Sequence, residues 1–233
     1  MKNNKDSLGD RMKGYEKVPS STLYSKIPVI IRLNGKAFHS LTRKFKKPFD
    51  GNFIDAMVNA AEMVAKEMQG FRAGYIQSDE ASFLLTDYDS IESQPWFGNK
   101  LFKIVSVSAS LMTAYFNKYL NEFDKESIAS FDSRAFNLPK EEVTNLFLWR
   151  KQDWDRNSLQ MYARSFFSHK ELHKKNKGDI HEMLYSIGKN WATDCSDVEK
   201  NGTFLIKDDR DIVRKTNILS DYESISKLLN NFL

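Results

Sequence analysis

Three short stretches of this sequence carry side chains suited to polyphosphate chemistry: Ser78-Asp79-Glu80, Asn34-Gly35, and the lysines Lys47, Lys100 and Lys103. Oxygen ligands gathered at a strand edge are what Mg²⁺ requires, and two such ions activate an attacking oxygen and neutralise a triphosphate leaving group. Lysines near a helix start can grip a phosphate chain. Each signal also has an ordinary reading. Ser, Asp and Glu are common turn residues, and Lys100 and Lys103, three apart, fit a solvated helix face. What gives the stretches weight is whether the fold brings them together.

The histidines point elsewhere. His169 and His173 stand four apart, but Lys170, Lys174, Lys175 and Lys177 surround them and no acid or thiol is spaced to complete a metal site. The cluster reads as a basic surface, able to give sequence-independent affinity for nucleic-acid phosphates. His181-Glu182-Met183-Leu184-Tyr185 lacks the second histidine of a zinc protease, and neither the phosphate loop of common ATPases nor a dinucleotide fingerprint is present.

The elements that must position these groups follow from patterning. Pro28 to Leu33 is a β-branched run, read as a first strand that turns at Asn34-Gly35. A basic loop, residues 42–48, leads to a helix capped by Asp50 or Asn52, with Phe53, Met57, Ala60, Ala61, Val64 and Met68 on one face and Gly70 at its end. Phe71 to Gln77 and Ala81 to Leu85 read as a hairpin with Ser78-Asp79-Glu80 at the bend. Lys100 to Leu120 has helical spacing, with Ser106, Ser108, Ala109 and Ser110 small enough for close approach to a sheet. Ile128 to Phe136 is a further strand. This β-α-β-β-α-β order is the ferredoxin-like unit of an α+β fold, an antiparallel sheet with two helices on one face. Residues 1–138 form this domain with an N-terminal extension. Residues 139–233 are a mainly helical addition, with helices over Val143 to Arg150, Asn157 to Ser168 and Ile180 to Trp191 and a strand at Gly202 to Ile206.

Composition bounds the function. The chain has 233 residues, 35 Lys and Arg against 31 Asp and Glu, and a net charge of +4, so a local anionic partner is expected rather than a wholly basic surface. No run approaches a membrane span, and the polar start lacks a secretory core, so residence in the cytoplasm and no membrane contact are expected. Cys195 is the only cysteine, which excludes an intrachain disulfide and a thiolate zinc cage.

The same residues resemble the tRNA-histidine guanylyltransferase family of 3′–5′ nucleotide-adding enzymes. The likeness runs through Asp10-Arg11-Met12-Lys13, Arg32-Leu33-Asn34-Gly35-Lys36-Ala37-Phe38-His39, Lys47-Pro48-Phe49-Asp50, Gly74 to Phe83, Trp96-Phe97 and Trp149-Arg150-Lys151-Gln152-Asp153. It closes at Lys200-Asn201-Gly202-Thr203. The resemblance implies a polymerase-palm domain using two Mg²⁺ ions. Asp79, Glu80 and Asn34 would be catalytic, and Asn34, Gly35, Asp79 and Glu80 would be the metal set. Lys36, Ala37, Phe38, His39, Lys47, Ser78, Lys100 and Lys103 would bind nucleotide. It further implies tRNA, GTP and ATP as partners, attack of a GTP 3′-hydroxyl on an RNA 5′ end, and a homotetramer built as a dimer of dimers.

Two departures qualify the likeness. Asn34 stands where the family has a metal-binding aspartate; its amide oxygen can ligate Mg²⁺ but brings no charge, so metal affinity and turnover are expected to fall. The eukaryotic His-Ile-Asn-Asn run is replaced by Asp155-Arg156-Asn157-Ser158, which favours the broader tRNA 5′-end repair branch. The alternative is a catalytically impaired nucleotide- or tRNA-binding relative; a nucleotide cyclase ranks lower, having no use for Trp149 to Asp153 or the basic helical half.

Overall fold

The structure is a computed structural model that describes residues 7–17, 20–209 and 211–233; the polar opening through residue 6 lies outside them. In chain order the elements are α1 (Ser7–Lys17), β1 (Val29–Gly35), α2 (Phe38–Leu41), α3 (Gly51–Glu67), β2 (Phe71–Gln77), β3 (Glu80–Leu85), α4 (Leu101–Leu120) and β4 (Phe131–Asn137). There follow α5 (Lys140–Ala163), α6 (His169–Leu172), α7 (Lys177–Ser186), α8 (Trp191–Asp194), α9 (Asp197–Asn201), β5 (Thr203–Asp208), β6 (Asp211–Lys215) and α10 (Tyr222–Leu229). The six strands form one sheet in the order β4-β1-β3-β2-β5-β6, with every pairing antiparallel. Its first four strands are the ferredoxin-like unit expected from the sequence.

Both faces of the sheet are covered, so its central strands are largely buried on both sides rather than alternating between core and solvent. Ile31, Leu33, Phe83 and Leu85 pack under α3 and α4, whereas Ile30, Ala73, Tyr75, Leu84 and Phe204 pack under α5, α7 and α10. In α4 the buried positions are Ile104, Ser108, Met112, Phe116 and Leu120, a four-residue spacing that keeps one stripe against the sheet. Of the four small residues, Ser108 is the fully buried one and its hydroxyl lies 2.8 Å from that of Ser133 on β4, while Ser106 and Ser110 face solvent.

Four local expectations change. Asn34 and Gly35 belong to β1 rather than to a turn, because both pair with a neighbouring strand. Glu80 opens β3, which leaves Ser78 and Asp79 as the hairpin link. The two short helices expected after residue 143 are one helix, α5, running unbroken through Lys151-Gln152-Asp153-Trp154-Asp155-Arg156. β5 and the unforeseen β6 extend the sheet from β2, so the division at residue 138 does not separate two sheets.

The second half is tied down by polar contacts as well as by its core. Lys151 is fully buried, and its ammonium donates to Asp155 at 2.5 Å, to the Ser220 hydroxyl at 2.7 Å and to Asn201 at 3.2 Å. Burial lowers its pKa and Asp155 opposes the shift, as befits a cation kept charged by a full set of acceptors.

Candidate active site

The end of β1 and the tip of the β2–β3 hairpin meet. Asn34 lies opposite Glu80 on β3 and opposite Asp132 on β4, and the Gly35 N–H donates to the carbonyl of Asp79 at 2.9 Å. Residues directly opposed across antiparallel strands share a face, so Asn34, Glu80, Gln77 and Asp132 all lie on the side covered farther along by α5. Ser78 takes a left-handed φ of 49°, as the tight link demands. Gly35 has a steric reason to be glycine: a Cβ there would fall inside the ring of Phe38. That ring packs with Phe53, Phe116 and Phe131 at centroid distances of 6.1, 5.4 and 5.0 Å.

The two acids differ sharply. Glu80 is buried and doubly paired: Arg32 Nη2 donates to Oε2 at 2.5 Å and Arg150 Nη2 to the same oxygen at 3.1 Å. Arg150 Nε lies 2.7 Å from Oε1, close as an ion pair but without hydrogen-bond alignment. Both guanidiniums also lie against the Trp149 ring, Arg150 at 4.6 Å and Arg32 at 5.7 Å from its centroid. Asp79 makes no ion pair among the described residues. Burial raises its pKa, the charge of Glu80 adds to this, and its own N–H and the Ser78 hydroxyl oppose it. A desolvated carboxylate without a counter-ion is a place where a cation is stabilised.

The expected phosphate-binding groups divide by position. Lys47 and Ser78 line one pocket, floored by Phe49, Met57, Ile76 and Trp154. Asp50 shapes its rim: one carboxylate oxygen caps α3 at Phe53 N, 3.1 Å away, and the other accepts from Lys46 N at 2.9 Å. Lys47 donates to the Thr42 carbonyl at 2.8 Å. Lys36 and Ala37 on the turn after β1 and His39 in α2 are exposed, whereas the Phe38 side chain points into the core rather than toward a nucleotide.

Lys100 and Lys103 do not join this site within one chain. Lys100 bridges to Thr22, and the Asn99 side chain before it donates to the Tyr24 carbonyl at 3.1 Å. Asn99 also lies beside Val29 and Leu85. Val29 pairs with Leu85 at the other end of the β1–β3 ladder, about 17 Å from Asn34 at roughly 3.4 Å per residue. The element order carries the reason: β3 starts at the hairpin tip and runs away from it, so the helix that follows begins at the far end.

Several contributors carried no assigned role in the sequence. Arg32 is two residues before Asn34 and so shares its face, and Arg150 and Trp149 come from the polar stretch of α5. An open trough runs from Asp79 past Arg32 and Arg150 to Asn157, Gln160 and Arg164. His169 and His173 are exposed, with ring centroids 6.3 Å apart, and among the described residues no group of three His, Cys, Asp or Glu side chains converges as a metal site. No described helix is long and apolar enough to cross a membrane.

Comparison with known proteins agrees with this arrangement. The family described as Thg1, tRNAHis guanylyltransferase, matches residues 9–139. The tRNA(His) guanylyltransferase of Schizosaccharomyces pombe is 30% identical over 214 residues, covering 84% of this chain and 79% of its own. A bacterial tRNA(His) guanylyltransferase (Thg1)-like protein in complex with ATP superposes with a TM-score of 0.91 at 37% identity, over 97% of this chain and 98% of the other. A second such structure, in complex with GTP, gives 0.83 at 34% identity, over 97% and 99%. With these matches spanning the palm-like sheet and its helical flank, the chain belongs to the tRNA(His) guanylyltransferase family of nucleotidyltransferases.

Proposed function

We propose that this protein is a 3′–5′ nucleotidyltransferase that adds a nucleotide, GTP preferred, to the 5′ end of tRNA, with turnover reduced by Asn34. The observation that carries this reading is the junction of Asn34-Gly35 with Asp79, joined by the Gly35 N–H to Asp79 carbonyl bond. Asp79, the Asn34 amide oxygen and the Gly35 carbonyl are the donors that would hold Mg²⁺. The fit rests on Asp79 itself, a desolvated carboxylate with no cation beside it among the described residues. Bound there, Mg²⁺ supplies charge neutralisation for a polyphosphate and activation of an attacking oxygen.

The chain's own residues do the rest. Glu80, expected as a fourth donor, acts instead through the two arginines as the anchor that fixes the start of β3. The apolar pocket beneath Lys47 and Ser78 excludes water and takes a base, while Lys47 faces the phosphates. The GTP 3′-hydroxyl attacks the phosphorus at the RNA 5′ end and loses its proton and, from a triphosphate end, pyrophosphate leaves; a monophosphate end is first adenylylated by ATP with release of pyrophosphate, and AMP is then the group that leaves. Lys100 and Lys103 would reach such a site only across subunits, which suits the tetramer that the family likeness implies. Cys195 is a free, buried thiol pushed up to about 12 by burial, in keeping with work in the reducing cytoplasm.

Restoring the charge tests the reading. Asn34→Asp is expected to raise the rate of nucleotide addition to a 5′-triphosphorylated tRNA roughly tenfold, about 1.4 kcal/mol of barrier, and to lower the Mg²⁺ needed for half-maximal rate. Equal rates and equal Mg²⁺ dependence would remove residue 34 from the metal set. The second reading, a nucleotide- and tRNA-binding relative without chemistry, is favoured by the missing charge alone; GTP and tRNA bound, with no product from either form, would establish it. Faster addition to 5′-truncated than to full-length tRNA is the expected mark of the repair branch.

A further inference from the structure

We propose that the exposed basic flank from Arg164 to Lys177 holds the phosphate backbone of the RNA whose 5′ end lies at Asp79; this rests on the reading above that the substrate is tRNA. Asp153, Asn157, Gln160 and Arg164 are spaced four, three and four along α5 and all line the trough that begins at Asp79. They form one polar stripe about 16 Å long at roughly 1.5 Å per residue. The trough therefore leaves the hairpin tip in a set direction and ends at Arg164, where α5 stops.

From that point the chain becomes strongly cationic. Residues 164–178 contain Arg164, Lys170, Lys174, Lys175 and Lys177 against the single acid Glu171. All five cations are exposed, and none makes an ion pair among the described residues. The nearby acids are committed elsewhere. Glu171 accepts from the Ser168 N–H at 2.8 Å and the Ser168 hydroxyl at 2.7 Å, and Asp179 accepts from the Asn176 N–H at 3.0 Å. Both are capping boxes, so these carboxylates are held at the starts of α6 and α7 rather than in ion pairs with the lysines.

A set of flexible point charges without ion-pair partners among the described residues, following along the chain from Arg164 where the trough ends, suits a polyanion read without regard to sequence. A lipid surface suits it less well, because Leu172, Ile180 and Leu184 are buried and the large apolar side chains left exposed beside the cations, Phe166 and Tyr185, are isolated rather than a continuous helix face.

The test uses the intact protein with Lys174→Glu/Lys175→Glu, and with Lys174→Arg/Lys175→Arg as the charge-preserving control. Binding of a 5′-triphosphorylated tRNA transcript, measured across salt concentrations, is expected to weaken at least tenfold in the glutamate variant. The slope of log Kd against log salt should fall by about two, and the arginine control should match the native protein. GTP affinity and circular dichroism should not change. Unaltered tRNA affinity and slope in the glutamate variant, with the native protein binding and extending tRNA, would overturn the flank and leave the proposed activity intact. A native protein that binds tRNA through this flank but adds no nucleotide would sink the activity and keep the flank. Loss of binding to phosphatidylserine vesicles with tRNA binding intact would assign the flank to membranes and overturn the proposal.

Discussion

Asp79 and Glu80 are consecutive in sequence and opposite in circumstance. Glu80 is neutralised by Arg32 and Arg150, whose guanidiniums lie against Trp149, whereas Asp79 is desolvated with its charge uncompensated among the described residues. The contrast teaches that a carboxylate's role at a shared sheet edge depends on what the neighbouring strand and helix bring to it. The fold supplies counter-ions to Glu80 and none to Asp79 among the described residues, the arrangement expected if Asp79 takes an external cation. Both states cost solvation free energy, but only that of Glu80 is offset by partners within the fold.

The comparison breaks most visibly at Glu80. Glu80→Gln removes the buried carboxylate charge between Arg32 and Arg150, leaving Arg150 only its contact with Asp153 at 3.1 Å, and is expected to cost about 3–5 kcal/mol of stability, read by urea unfolding. Glu80→Gln/Arg150→Met is expected to recover part of that loss, and additive losses would show that the two side chains do not act as a pair.

Asp79→Asn is expected to do the reverse. Nucleotide addition should fall on the order of a thousandfold, about 4 kcal/mol of barrier, while metal-free stability at neutral pH rises. The sign follows from the raised pKa of Asp79. Between the ordinary carboxylate range and that raised value, the native state holds a proton the unfolded chain has released, so stability falls as pH climbs through the window. The variant's advantage should therefore vanish in acid below the ordinary carboxylate range and be complete above the raised pKa. A pH-independent difference between the two proteins would remove Asp79 from that account.

The smallest effect is expected at the rim. Asp50→Ala removes the α3 cap and the Lys46 anchor together and should cost about 1 kcal/mol, with KM for GTP rising more than kcat falls. A loss confined to stability would separate the pocket rim from nucleotide binding.

Much of this contrast was legible in the sequence. The β-branched run into Asn34-Gly35, the hairpin spacing around residue 79 and the helical spacing from Lys100 each predict an element that the structure contains. Local patterning could not reveal which polar residues would be buried. The stretch from Lys151 to Arg156 looks like a break between helices, yet Lys151 and Trp154 are buried within α5 because their partners come from Ser220, Asn201 and the pocket floor. β6 was missed because Asp211 to Lys215 is mostly exposed and pairs only as an edge strand. The separation of Lys100 from the hairpin tip was available from strand order, although nothing at Lys100 itself signals it.

The ring beneath Gly35 ties two positions into a single evolutionary unit. A side chain of any size at residue 35 requires residue 38 to shrink at the same time, and that would open a hole among Phe53, Phe116 and Phe131. A side chain at residue 35 alone meets the ring and a smaller one at residue 38 alone leaves a cavity, so packing holds the backbone beside residue 34 whatever side chain residue 34 carries.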